Sequence, residues 1–444
     1  MSDSGSSIDP LPGMDIGTPD LTDLIGLRRT GRVTEVIGTI VRAAVPEVHI
    51  GELCRIRRSD DSELDAEVVG FDRQDALLMP LGQMETISAG ATVVPSGGKP
   101  TVPCGKAVQG RVLDALGDPL DGLGPIVGGE RTRLMQQPPN PLLRARIDEP
   151  IQTGVRAIDG MLTMGRGQRI GIFAGAGGGK STLLSMIARN VDADRVVLAL
   201  IGERGREVRG FLEDDLGEEG MKKSTIVVST ADQSALLRLR AAYTATAIAE
   251  AARDRGERVV LLMDSVTRFA RALRDVGLAA GEPPGRQGFP ASVFARLPIL
   301  FERAGTSDKG SITAFYTVLV AGDDMEEPVA DETMSLLDGH IILSRKIAER
   351  NQYPAIDILA SKSRLMQDLV TKDHAAAAGK ALMALSTYTE NYDKISMGLY
   401  DPPTTEEADL AERGQEVSRE LLVQDRYEVA TMDDTVQRLI DFSG

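Results

Sequence analysis

One nine-residue stretch restricts the fold more than any other part of the 444-residue chain. AGAGGGKST, Ala174 to Thr182, follows the apolar run RIGIFA and leads directly into STLLSMIARN, a run of helical period. A glycine-rich loop between a strand and a helix can turn successive backbone N–H groups toward one anion, and the positive end of the helix adds to the attraction. Gly175, Gly177, Gly178 and Gly179 permit the backbone angles and the close approach. With Ala176 and Thr182 they make up the predicted nucleotide-binding loop. Lys180 can reach the β- and γ-phosphates of ATP, and Ser181 can ligate Mg²⁺. The strict pattern begins with Gly, where this chain has Ala174. A merely flexible turn is the plainer reading, and Lys-Ser at the start of the helix argues against it.

Such a loop needs a sheet behind it. From about Gln152 to Val370, strand-length apolar runs alternate with stretches of helical period: QRIGIFA, RVVLALIGE, STIVVST, RVVLLMDS and GSITAFYTVLV. Five such runs interleaved with helices predict a mostly parallel sheet covered on both faces. Two of them end in carboxylates. In IGERGRE, Glu203 falls at the carboxyl edge of the sheet, where doubly wound folds bind ligands, and a carboxylate there can orient and polarise water. Arg204 beside it would lie near a γ-phosphate. In RVVLLMDSVTRFARA, the strand ends in Asp264, placed to hold Mg²⁺ through a water, with Arg268 one turn later. Taken singly, a charge cluster opening a helix or a strand ending in Asp is commonplace. The succession of loop, Glu and Asp, one strand to each, is not.

The flanks read differently. Residues 1–24 are rich in Ser, Gly, Pro and Asp, with no Lys or Arg before Arg28, and read as a disordered acidic tail. Residues 25–97 carry short β-branched runs separated by Gly, Asp and Pro, the pattern of a small antiparallel barrel. The turn-rich GRVLDALGDPLDGLGPI and the Pro-dense QQPPNPLLRARIDEP lie at the start of the nucleotide domain, set at 98–370, and the remainder, 371–444, reads as helical. Leu410, Val417 and Leu421 share a helical face there. Residues 401–444 hold twelve acids against four Arg, a net −8 out of −16 for the whole chain. That concentration of charge predicts a lobe separate from the core, with the apolar face open to a partner. The expected class is therefore α/β: a P-loop core with a mostly parallel sheet, an N-terminal β-barrel and a C-terminal helical domain.

Composition trims the alternatives. Aromatics are 4% and Trp is absent, which disfavours gripping nucleic acid by base stacking, and the net charge repels polyanions. No nucleic-acid partner is expected. Cys54 and Cys104 lack metal-ligand spacing, the N-terminus has no secretory pattern, and no run approaches a membrane helix, so a reducing, cytoplasmic setting is expected.

Long stretches from about Gly31 to Leu365 resemble a known family. TGVRAIDGMLTMGRGQRIGIFAGAGGGKST, ALIGERGREVRGF, LLMDSVTRFARA, GEPPGRQGFPASVFARLPILFERAG, LLDGHIILSRKIAER and YPAIDILASKSR are similar to the ring-forming rotary-type ATPases related to the F1 catalytic subunit. Within that group they look most like the ATPases of type III protein secretion, injectisome and flagellar. The stretch after Met397 follows the family pattern only weakly. The resemblance implies a RecA-like core and a catalytic role for Lys180, with Glu203 activating water. It also implies that Tyr353 of YPAID stacks on adenine and that Arg364 of SKSR is an arginine finger reaching a neighbour's nucleotide. From their own surroundings Tyr353 and Arg364 would read as an ordinary half-buried Tyr and a surface Arg. The family further implies Mg²⁺ and ATP, a homo-hexamer, stator and central-stalk partners, chaperone–substrate complexes, and a peripheral place at the inner-membrane export gate. VLVAGDDMEEPVADE looks closer to injectisome members. A catalytic subunit of a proton-translocating rotary ATPase and a Rho-type RNA-dependent motor are the competing functions. The first would need a paralogous ring partner and the second would be stimulated by RNA.

Overall fold

The computed structural model describes residues 29–443 apart from Ala176, so the expected tail over residues 1–24 lies outside the described residues. Six strands close the N-terminal barrel: β1 (Gly31–Ile37), β2 (Ile40–Ala44), β3 (Leu53–Arg57), β4 (Glu63–Asp72), β5 (Asp75–Pro80) and β6 (Thr92–Pro95), in the order β1-β2-β5-β4-β3-β6. Alternate residues point inward, as the pleat requires. Val41, Ala43, Cys54, Ile56, Ala66, Val68, Ala76 and Leu78 fill the interior. The barrel sits on the next domain through Ile40, Leu77, Met79 and Leu81 packed against Leu236. A part-buried Arg240–Glu67 pair at 2.6 Å fixes that contact.

The core is a nine-stranded sheet. Its strands are β7 (Val112–Leu113), β8 (Arg169–Ala174), β9 (Arg195–Glu203), β10 (Ser224–Thr230), β11 (Arg258–Asp264), β12 (Gly305–Thr306), β13 (Ser311–Leu319), β14 (Gly339–Leu343) and β15 (Ile356–Ser363). The order is β15-β14-β8-β13-β11-β9-β10-β7, with β12 antiparallel beside β13 and β15 antiparallel to β14. The other pairings are parallel. The five expected strands form the centre, and the sequence reading missed the rest. Val112–Leu113 sits inside GRVLDALGDPL, and two residues are too few for periodicity to register. GHIIL and IDILASKS are broken by polar residues because they lie toward the sheet's edge.

Helices cover both faces. α2 (Ala235–Arg253) and α3 (Val266–Ala279) bury one face with Val197, Leu261 and Tyr316. α1 (Lys180–Asn190) covers the other. Beneath α2, Arg303 and Glu250 form a pair with both side chains fully buried, bidentate at 2.9 and 2.6 Å.

The C-terminal region holds α4 (Lys372–Ser396), α5 (Thr405–Glu416) and α6 (Met432–Ser443). Thr371 and Thr404 cap α4 and α5 through their hydroxyls, and acids occupy the first turn of each helix, where the helix dipole favours them. These helices do not form the separate lobe expected from their charge. Val417, Leu421, Leu422 and Leu439 share one apolar cluster with Ile158, Leu184 and Ile187 of the core. The acids point outward while the apolar side docks, so charge density was a poor guide. Of the three residues expected on an open face, Val417 and Leu421 are buried and Leu410 is half-buried. Among the described residues no helix is long and apolar enough to cross a membrane.

Candidate active site

The parallel register brings the chemistry to one edge. Leu200 of β9 pairs with Asp264 of β11, so Glu203 stands just beyond that level. β8 ends at Ala174 and hands the chain to the glycine loop. Gly177 has φ 84° and Gly179 φ 80°, left-handed values that disfavour any side chain. Gly179 is also the residue before α1, whose first-turn N–H groups have no partner within the helix. Ala176 lies outside the described residues. Ser181 is exposed and Thr182 half-buried on the first turn of α1.

Lys180 is bonded to the Asp264 carboxylate and lies 3.6 Å from Glu203 Oε1. Thr317 of β13 donates its hydroxyl to Asp264 Oδ1 at 2.9 Å, fixing that carboxylate from the neighbouring strand. Burial pushes the Glu203 carboxyl above its ordinary range and the Asp264 charge adds to this, while Lys180 opposes it. One cation between two part-buried carboxylates leaves a negative excess, a setting suited to a proton acceptor. Thr317 went unnoticed in the sequence. Its only signal was a small hydroxyl residue within the otherwise bulky run AFYTVLV.

The aliphatic part of Arg268 lies on Gly202, where an added Cβ would come within 3.2 Å of Cγ. The Arg268 Nε is buried without a hydrogen-bond partner among the described residues. Arg204 is different. Its side chain is 75% exposed and pairs with Glu207 at 3.1 Å, so the structure does not bring it to Lys180. As the residue before the helix Gly205–Gly210, it is turned outward by that helix.

Tyr353 stands over the loop, its ring 3.7 Å from where a Cβ on Gly179 would lie. It is 41% exposed, leaving ring surface for a flat ligand. β14 and β15 place it there, since Leu343 pairs with both Ala174 and Ile356. Arg364 sits at the opposite edge. It follows β15, its N–H donates to Asp338 O at 3.0 Å, and Asp338 in turn holds Arg169 at the start of β8. Five residues of β8 separate those ends, about 15–20 Å. The exposed guanidinium of Arg364 therefore cannot serve the loop of its own chain.

The donor set suits Mg²⁺ with ATP. Among the described residues no cluster of three or more His, Cys, Asp or Glu could hold a metal unaided. A hydroxyl, a carboxylate and the phosphates of a nucleotide match the way Mg²⁺ is usually held.

Three family models match successive segments: the ATP synthase alpha/beta beta-barrel domain over residues 33–97, the nucleotide-binding domain of that family over 154–363, and the T3SS EscN ATPase C-terminal domain over 370–441. The last covers the region whose pattern had looked weak. The chain is 49% identical to a type 3 secretion system ATPase of Xanthomonas euvesicatoria over 95% of each chain. It is 48% identical to a flagellum-specific ATP synthase of Bacillus subtilis over 96% of this chain and 99% of the other. The assembled ATPase EscN of an enteropathogenic E. coli type III secretion system superposes with TM-score 0.87 at 44% identity, covering 93% of this chain and all of that one. EscN in complex with its central stalk EscO gives 0.85 at the same identity and coverage. Barrel, nucleotide core and helical C-terminus thus agree with the carboxylate-and-lysine site in one conclusion: the chain belongs to the type III secretion and flagellar branch of the ATP synthase alpha/beta family and is a P-loop ATPase.

Proposed function

We propose that six copies of this chain form a ring that hydrolyses MgATP to drive type III protein export. The observation that carries this is the geometry around Lys180. Two carboxylates converge on the loop, while Arg364 stands at the far edge of the same sheet. One chain therefore holds all the parts of a site but cannot assemble them alone, and a closed ring of identical chains can.

In this reading the loop N–H groups and Lys180 bind the β- and γ-phosphates, and Tyr353 stacks on adenine. Ser181, and Asp264 through a water, would hold Mg²⁺, which would supply neutralisation of the phosphate charge. Glu203 accepts the proton of the attacking water as oxygen bonds to the γ-phosphorus and the bond to the β,γ-bridging oxygen breaks, releasing ADP and phosphate. Arg268 braces the strand end beside Glu203 by packing on Gly202. Arg364 of the adjacent copy meets the charge that spreads over the γ-oxygens. Arg204 has no place in this step.

The EscN structures, one of them with a central stalk, support assembly and a stalk partner for this chain. Chaperone–substrate complexes, a stator and the membrane export gate complete the proposed partners, with the ring on the cytoplasmic side. The motif VLVAGDDMEEPVADE favours an injectisome over a flagellum, and relatives at 49% and 48% identity represent both systems. Chromosomal Glu203→Gln tests the reading. It should stop secretion of injectisome substrates and leave motility intact. Loss of motility alone would assign the chain to the flagellum, and no effect on either would reject the export role.

A further inference from the structure

The turn after α5 reaches the nucleotide site from a direction the sequence did not suggest. Gln424 is 3% exposed, and its backbone N–H and both ends of its side-chain amide are engaged. Its backbone N–H donates to the carbonyl of Tyr353 at 2.9 Å. Its side-chain Oε1 accepts from Arg156 N at 2.8 Å, and Nε2 donates to Gly154 O at 2.8 Å and to Glu428 O at 3.2 Å. The floor it grips is itself rigid: Asp159, fully buried, accepts from Thr153 N, Thr153 Oγ1 and Gly154 N at 2.8, 2.6 and 2.9 Å. Gly154 also abuts Asn190 at the end of α1, where an added Cβ would lie 2.4 Å from the Asn190 Cβ. Ser418 adds a bond to Gln352, next to Tyr353, at 3.1 Å.

The loop around Tyr353 holds its backbone on either side, Gln352 N–H donating to Ile347 O at 3.3 Å and Ser344 N–H to Ala355 O at 2.9 Å, and Gln424 adds the bond to Tyr353 itself. The Tyr353 ring is partly exposed and lies at the end of the loop between β14 and β15. The side-chain amide of Gln424 fixes the turn to the base of α1, and the backbone of the same residue fixes Tyr353. We infer that Gln424 is a positioning residue for base recognition, setting the Tyr353 ring at the height of a nucleotide whose phosphates lie on Gly175–Lys180. This rests on the reading of Tyr353 as the adenine platform. A buried amide with donor and acceptor both used is demanding, because losing one partner strands the others. The bonds also place the base-binding end of the site under the control of the C-terminal region, while the phosphate end is built from the loop, α1 and the central strands.

The test separates base from phosphate. Equilibrium binding of ATP and of inorganic tripolyphosphate, both with Mg²⁺, is measured on the full chain carrying Gln424→Ala, Tyr353→Ala or both. Base stacking on an aromatic predicts about a 10-fold weaker ATP affinity for Tyr353→Ala, with tripolyphosphate unchanged. Gln424→Ala should weaken ATP by roughly 3- to 10-fold, also with tripolyphosphate unchanged, and should add little once Tyr353 is gone. Equal loss of both ligands on Gln424→Ala would make Gln424 merely structural and overturn the proposal. So would full additivity with Tyr353→Ala, or unchanged ATP affinity in Gln424→Ala. If Tyr353→Ala itself spares ATP, the platform reading has failed first and the proposal falls with it.

Discussion

Lys180 answers to two carboxylates, and the difference between them sets their roles. Asp264 is the more buried, takes the direct bond to Lys180 and is tied by Thr317, so its carboxylate is held in one place. Glu203 stands farther off at 3.6 Å, with its carboxyl raised by burial and by the Asp264 charge. A base must be deprotonated to act, so kcat/KM should fall as pH drops through the pKa of Glu203. Because that pKa is raised, the acid limb should lie above the ordinary glutamate range. Glu203→Gln should bind nucleotide nearly as well as the parent, lose about 10²–10⁴ in kcat and lack that limb. Turnover and binding falling together would mark Glu203 as structural. Both acids were legible because each ends an apolar strand beside a readable loop. Arg204, expected near the γ-phosphate, has an exposed side chain paired with Glu207 at the start of the helix that begins at Gly205. Thr317 was hidden because it lies within a long, mostly apolar strand, SITAFYTVL.

At the scale of elements, the contact between the C-terminal helices and the core decides how the outer part of the molecule behaves. Gly414 of α5 meets α4 so closely that an added Cβ would lie 2.1 Å from Ala384 O. That atom is backbone and cannot swing aside, so Gly414→Ala must push the helices apart, at a cost of about 1–3 kcal/mol or more. Val417 is 1% exposed in the cluster shared with α1 and the sheet. Val417→Asp buries an unpaired charge there and should destabilise by about 3 kcal/mol or more, and thermal unfolding would register both changes as lower midpoints. An unshifted midpoint for Val417→Asp would contradict the docked arrangement. The sequence showed the helical face of Leu410, Val417 and Leu421 and misjudged what covers it. Periodicity reveals that a face is apolar and is silent on its partner. The barrel was readable from its alternation, whereas β7, β14 and β15 were too short or too mixed in character to stand out.

At the scale of the whole molecule, the proposed site is divided between copies. Arg364 lies at the opposite end of the strands from the loop of its own chain, about 15–20 Å away, and its exposed side chain donates to Met334 O at 3.3 Å. No spacing in the sequence could show this, because the far edge of a sheet is defined only once the strand order is known. Family resemblance supplied the proposed role, and the fold supplies the reason that such a role would be played toward a neighbour. An arginine finger is worth about 10³–10⁵ in rate in other phosphoryl-transfer systems, so either partner's loss should nearly silence the ring. The direct measurement mixes Lys180→Ala chains with Arg364→Ala chains, each inactive alone, and follows phosphate release from rings shown to contain both. Some interfaces then pair an intact Lys180 with an intact Arg364, and hydrolysis should recover well above the sum of the separate preparations. Mixed rings that form and remain silent would contradict a site shared between subunits.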